Sequence, residues 1–367
     1  MSALARDDST SEPAIRQPQP KSKERGLVAV PRLARHMLQL EDGHQVQVAI
    51  AGRGVPLVVV HGFTAEGFLY AQTLSRLVSS GFKVIAIDTA GHGGTEGLSI
   101  GGGDLSGYAE LLGRVVDHLG VKRAVFAGHS MGGRIVTELA ANRPQRAVAV
   151  VLVDAIVGEA WDRRVAASRL VPPLMVATGA VLLADTLTTL PVMRDRRQAM
   201  KLARLWLPVW IHNVRRPWGV LGAGISILRS GPSRWMLEQL AENLVPVFVI
   251  HGDKDAAVPI QTARDAAKRA HGELIVVHNA THSWPLKDPE TMPAIVAELL
   301  NDSLGEACRR AVTLEGMPLD SENIADIEDV LYEKNALAIR LTPELRFDKT
   351  RMRRGTPRYT WTRTAPS

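Results

Sequence analysis

A single cysteine, Cys308, stands in 367 residues, so no internal disulfide framework can form. Aromatic residues make up 5% of the chain. Neither a zinc-finger spacing nor an RNA-binding aromatic motif occurs, so nucleic acid is discounted as a partner. The formal net charge is +6 and the pI about 9.6, a balance that then favours anionic lipid surfaces. A dinucleotide fingerprint is also missing. The run Gly91-His92-Gly93-Gly94-Thr95-Glu96-Gly97 lacks the third-glycine spacing, and neither cofactor nor metal is expected. Residues 1–26 are rich in Ser, Pro, Gln and mixed charge, without the apolar core of a signal peptide. A disordered leader and a cytoplasmic location are the expectations. Charge is nearly absent from one long stretch. Residues 170–193 carry only Asp185, between Arg163, Arg164 and Arg169 before and Arg194, Arg196 and Arg197 after. That length suits a membrane span, but Pro172-Pro173, Gly179 and Asp185 oppose one.

What the chain does have is hydrophobic rhythm, in a composition 46% hydrophobic. Gln45-Val46-Gln47-Val48-Ala49-Ile50 alternates as a half-buried strand does. The runs 57–60 and 84–87 are apolar throughout, as in strands buried on both faces. Helical stretches separate the strands; in 108–119, Leu111, Leu112, Val115, Val116 and Leu119 share one side. This alternation predicts an α/β fold, a mostly parallel sheet with helices on both faces. Between residues 156 and 243 the strand-like runs give way to apolar, Arg-bearing helical segments. The expected divisions are a leader (1–26), a core in two parts (27–155 and 244–304), a helical insertion (156–243) and a C-terminal extension (305–367). In the extension an acidic stretch, 320–333, precedes a basic one in which Arg351, Arg353 and Arg354 cluster. The sequence assigns it no role.

The chemistry concentrates at Gly128-His129-Ser130-Met131-Gly132. This G-x-S-x-G follows the strand-like Ala124-Val125-Phe126-Ala127 and precedes a helix-like run over 133–141. That context makes it a nucleophile elbow, with the serine hydroxyl projecting from a sharp turn. A serine needs a base to take its proton and a group to orient that base. The apolar run 244–250, with Pro246 near its start, leads into His251-Gly252-Asp253-Lys254-Asp255. An orienting carboxylate belongs in that loop, Asp255 ahead of Asp253. The run 273–277 leads to His278-Asn279-Ala280-Thr281-His282, where His282 is free to reach across to Ser130. His278 is the competing base, expected as the last residue of its strand, and Asp154, ending the run 149–153, is the competing acid. A developing oxyanion needs backbone donors. Met131 supplies one, and Phe63 in His61-Gly62-Phe63-Thr64 the other, unless His61-Gly62 merely ends a buried strand.

With these residues in place, the chain resembles the α/β-hydrolase family, in its lidded branch, from about residue 37 to residue 304. The likeness includes the elbow, His61-Gly62, the segment Asp88-Thr89-Ala90-Gly91-His92-Gly93-Gly94-Thr95, and Gly252 with Asp255. Two positions depart from it: the family often has Gly where Thr281 stands and Ser where Thr95 stands. Ser130, Asp255 and His282 follow the α/β-hydrolase triad order. The resemblance implies a serine hydrolase, esterase- or lipase-like, with Phe63 and Met131 as oxyanion donors and the insertion as a lid. The expected partner is a small lipophilic ester with an apolar acyl or alcohol group. The lid lines an apolar pocket or makes peripheral contact with a membrane, and its Trp206, Trp210 and Trp218 fit either use or plain packing. The scaffold's alternatives are carbon–carbon bond hydrolysis, acyl transfer, and ligand binding without turnover. A serine nucleophile argues against the epoxide-hydrolase and dehalogenase branches, which use Asp.

Overall fold

A computed structural model describes residues 33–63, 70–98, 104–187, 200, 207, 211, 217–314, 324–342 and 355–366. The leader 1–26, Trp206, Trp210 and the Arg351–Arg353–Arg354 cluster lie outside the described residues. The described strands are β1 (Ala34–Gln39), β2 (Gln45–Ala51), β3 (Val55–Val60), β4 (Phe82–Ile87), β5 (Ala124–His129), β6 (Ala147–Val153), β7 (Val247–Gly252), β8 (Glu273–Val277) and β9 (Trp361–Thr364). They form one sheet in the order β1-β2-β4-β3-β5-β6-β7-β8-β9. Its centre, from β4 to β8, is parallel, while β1, β2 and β9 run antiparallel to their neighbours. Flanking helices bury the apolar sides of the sheet, as the alternating sequence predicts.

Strands β4 and β6 are buried along nearly all of their length, which is why 84–87 of β4 and the whole of β6 read as continuous apolar runs. The registers Val60↔Gly128, His129↔Val153, Val153↔Ile250 and Gly252↔Val277 bring the C-terminal ends of β3, β5, β6, β7 and β8 to one edge. The loops carrying Phe63, Ser130, Asp154, Asp255 and His282 therefore leave the sheet side by side, where open α/β sheets place their sites. The strand expected over 244–250 begins only at Val247, because Leu244 adopts φ +55° and Pro246 lacks the amide for the ladder. His278 lies one residue past β8, in the turn.

Four described helices fall between β6 and β7: Glu159–Leu170, Pro172–Leu187, Pro217–Arg229 and Arg234–Glu242. Among the described residues no helix is long and apolar enough to cross a membrane. The C-terminal extension packs on the core through the helix Ser303–Leu314, whose Ala307, Cys308, Ala311 and Val312 are buried, and through two later segments. Glu328, buried, accepts from Arg53 at 2.7 Å and from the Gly54 amide at 3.1 Å, and lies 3.4 Å from the buried ammonium of Lys83. A buried lysine needs such a partner. Further on, β9 pairs with β8, and Arg363 bridges Glu273, Glu298 and Asp302.

Candidate active site

The elbow is built by glycines that leave no room for side chains. A Cβ on Gly128 would lie 2.5 Å from the Gly133 nitrogen, and one on Gly132 would lie 2.6 Å from the His61 carbonyl oxygen. Strand β5 and the helix Met131–Asn142 can thus meet in a tight turn. Ser130 sits at its apex with φ 53° and ψ −117°, a left-handed conformation that a non-glycine residue holds only when its surroundings enforce it. The enforcement is visible: its amide donates to Val153 O at 2.9 Å, and its carbonyl accepts from Gly133 and Ile156.

His282 Nδ1 lies 2.6 Å from Asp255 Oδ2, and both side chains are buried. The other oxygen, Oδ1, accepts from the amides of Ala257 and Val258, each at 2.8 Å, so the loop orients the carboxylate and the carboxylate orients the imidazole. Burial alone would disfavour charge on both groups. Their mutual attraction and hydrogen bond outweigh it, so Asp255 is lowered and His282 raised from their ordinary values. His129, the residue before the serine, packs its ring 4.9 Å from that of His282 and hydrogen-bonds the His282 carbonyl through Nε2 at 3.1 Å. Its Nδ1 meets the Tyr70 hydroxyl at 2.9 Å. Burial, and next the proximity of His282, lower His129 to about 3, so it stays neutral, donating through Nε2 and accepting at Nδ1. No Ser130–His282 hydrogen bond is formed among the described residues; such bonds are often long before substrate binds.

The competing residues are placed elsewhere. Asp253 and His278 face each other, Nδ1 to Oδ2 at 3.3 Å, and Asp253 also caps the Asn279 amide. Asp154 accepts from the Gly252 amide at 2.8 Å and from the Trp284 indole at 2.7 Å, joining β6, β7 and the stretch after His282. Burial, and next the charge of Asp255, push Asp154 well above the usual carboxylate range. His251 stands between the two acids, 3.7 Å from each, and donates through Nε2 to Val258 O at 2.9 Å. Asp154, His251 and Asp255 have the residue types of a metal site, their ligand atoms lying within 4.8 Å of one another. Yet both oxygens of each acid already accept hydrogen bonds, and only His251 Nδ1 lacks a partner. The donor set is that of a hydrogen-bonded support for the imidazole. His129, Tyr70, His251 and Trp284 escape a motif search because each acts through a contact between distant elements.

Gly62 abuts the elbow: a Cβ there would lie 3.1 Å from the Ser130 Cβ. His61, fully buried and lowered to about 4 by that burial, is neutral. Its Nε2 accepts from the Thr89 amide, and its Nδ1 donates to the Gly62 carbonyl at 2.8 Å. The Gly62 carbonyl and the Phe63 amide belong to one trans peptide, so fixing one sends the other to the opposite side. The Phe63 ring faces Gly224 of the helix Pro217–Arg229, where a Cβ would come within 3.7 Å. On the same helix Gly219 packs against the backbone of Gly91. The Thr95 hydroxyl donates to Asp88 O and accepts from the Gln47 amide.

The comparisons agree with this architecture. The model of the alpha/beta hydrolase family matches residues 57–298. A protein of Mycobacterium phage D29, whose name assigns it provisionally to the non-heme haloperoxidases, is 31% identical over 281 residues, 72% of this chain and 94% of its own. A monoacylglycerol lipase of Mycolicibacterium smegmatis is 31% identical over 230 residues, 60% of this chain and 77% of its own. Among solved structures, one from a study of Nitrososphaera gargenis carboxylesterases aligns with a TM-score of 0.59 and 20% identity, covering 74% of this chain and 99% of that one. The chain belongs to the alpha/beta hydrolase family.

Proposed function

We propose that the protein is a serine hydrolase that cleaves a carboxylic ester with an apolar acyl or alcohol group. Ser130 attacks the carbonyl as His282 takes its proton, Asp255 holds the imidazole, and the Phe63 and Met131 amides receive the oxyanion. His282 then activates water to release the acyl group. The observation that carries the reading is the buried 2.6 Å Asp255–His282 pair, hydrogen-bonded through His129 to the turn where Ser130 holds its left-handed backbone. A fluorophosphonate probe tests it: labelling at Ser130 that is lost in Ser130→Ala is expected, and folded protein that stays unlabelled would favour a binding module. A panel of esters graded by acyl length then names the substrate class.

The insertion serves in this reading as a lid, since its helix Pro217–Arg229 meets Phe63 and Gly91 beside the elbow. Many of its apolar side chains face solvent rather than a pocket, Leu170 at 86%, Val176 at 72% and Trp218 at 78% exposure among them. Leu183, within the stretch expected to line a pocket, is also exposed. Arg163 and Arg234, exposed nearby in sequence and each paired with a glutamate one turn away, would exchange those partners for lipid headgroups, so this surface suits peripheral contact with an anionic lipid interface. Activity should then rise when anionic vesicles are added and fall back with salt. An identical response to neutral vesicles would remove the electrostatic part of the reading.

A further inference from the structure

Asp185 is the only charged residue in the stretch 170–193, and it is spent on the loop that holds His282. It lies near the end of the helix Pro172–Leu187. Its Oδ2 accepts from the Ser283 amide at 2.6 Å, its Oδ1 from Lys287 Nζ at 3.1 Å, and the Thr281 hydroxyl bonds to it as well. Lys287 Nζ also donates to Thr281 Oγ1 at 2.5 Å. Both charged side chains are only 12% exposed, so each has given up most of its water and depends on the other. The partners Thr281 and Ser283 flank His282 on both sides. Thr281 stands where the family often has Gly, and a glycine has no hydroxyl to offer.

We propose that Asp185 and Lys287 form a latch through which the insertion fixes the position of His282 and sets the charge around it, making Asp185 a positioning residue for proton transfer. The inference rests on the serine-hydrolase reading. Several groups surround the imidazole: Asp255 and Asp154 from the β7 and β6 loops, Asp185 from the insertion, the neutral His129 and His251, and Lys287 beyond Thr281. Negative charge at Asp185 favours the imidazolium, and positive charge at Lys287 opposes it. Breaking the latch from either side should loosen the loop, but the two breaks should move the titration of His282 in opposite directions.

The experiment measures the rate of fluorophosphonate labelling at Ser130 against pH, in the full chain and without knowledge of the substrate. Labelling requires neutral His282, so its acidic limb reports that imidazole. Asp185→Asn should move the limb to lower pH and Lys287→Met to higher pH, each by roughly half a unit. Plateau rates should fall several-fold in both. Asp185→Glu should bring the limb back toward wild type, and the double variant should lie between the singles. Two single variants that shift together, or not at all, would overturn the latch, because a purely structural role has no sign. If Asp185→Asn does not fold, Lys287→Met alone decides: an upward shift supports the proposal and any other result rejects it. Should wild-type Ser130 fail to label, the hydrolase reading falls first. The same sign test then runs on the His282 imidazole by NMR titration.

Discussion

Two acid–imidazole pairs span the same two loops, and they have different fates. Asp253–His278 and Asp255–His282 both join the loop after β7 to the loop after β8, with the same residue types and nearly the same spacing. In the first pair the side chains keep 29% and 35% exposure and sit 3.3 Å apart; in the second they keep 0% and 5% and sit 2.6 Å apart. Two residues along the first loop and four along the second carry the pair from a wet rim to a dry interior. There the Ala257 and Val258 amides hold the carboxylate and the His129 ring lies against the imidazole. Water competes for the outer pair and screens it, whereas nothing screens the inner one. Identical chemistry becomes a candidate catalytic unit only where water is excluded and a nucleophile lies within reach.

The most damaging way to break that contrast is to remove what the inner pair serves. Ser130→Ala should abolish ester turnover, by roughly 10⁶ in kcat, with the fold retained by circular dichroism. Next comes the inner acid. Asp255→Asn should lower kcat by about 10⁴, since the imidazole loses both its orientation and its counter-charge. The contrast sharpens in the pH profile. His282 is raised above the ordinary imidazole value of about 6.5, and only its neutral form can accept a proton. For wild type, kcat/KM should therefore rise with pH through a midpoint above about 6.5. Asp255→Asn should move that midpoint downward, because the charge that favoured the imidazolium is gone. An unchanged midpoint would mean that another group governs the limb.

Asp154 tests whether burial alone makes an acid catalytic. It is as dry as Asp255 but spends its oxygens on Gly252 and Trp284. Asp154→Asn should cost about 1–3 kcal/mol of stability through a mismatched donor, with kcat falling less than about tenfold. A larger kcat loss than that of Asp255→Asn, with both variants folded, would reverse the two roles. The smallest effect belongs to the outer pair: Asp253→Asn and His278→Asn should change stability by less than about 1 kcal/mol and leave kcat near wild type. A large kcat loss at His278 would end the distinction between the pairs.

Much of this was legible in the chain because strand burial and the elbow are local properties. Strands buried on both faces are written as apolar runs such as 84–87 and 149–153, and a turn without room for Cβ atoms demands Gly128 and Gly132. Two edge strands were missed for the same physical reason. In β1 and β9 only half the residues or fewer meet the core, so Arg35, His36 and Arg363 dilute the pattern. The strand expected from Leu244 started late because a left-handed backbone and a proline can follow an apolar composition as easily as a ladder can.

By itself, then, the sequence determined the parallel α/β sheet, the elbow at Ser130, and the short lists of acids and imidazoles in two loops. It ranked Asp255 ahead of Asp253 and His282 ahead of His278, but it could not bring them into contact, because Asp253 and Asp255 differ by two positions in a loop of no fixed periodicity. Only the packed sheet decided that. Register across β6, β7 and β8 turned Asp255 toward His282, gave Asp154 to Gly252 and Trp284, and left Asp253 with His278 at the rim. It also brought Asp185, 98 positions before Ser283, onto the loop of His282. Contacts of that kind arise between elements that each fold on local rules but acquire their neighbours only when the whole sheet and its insertion are assembled.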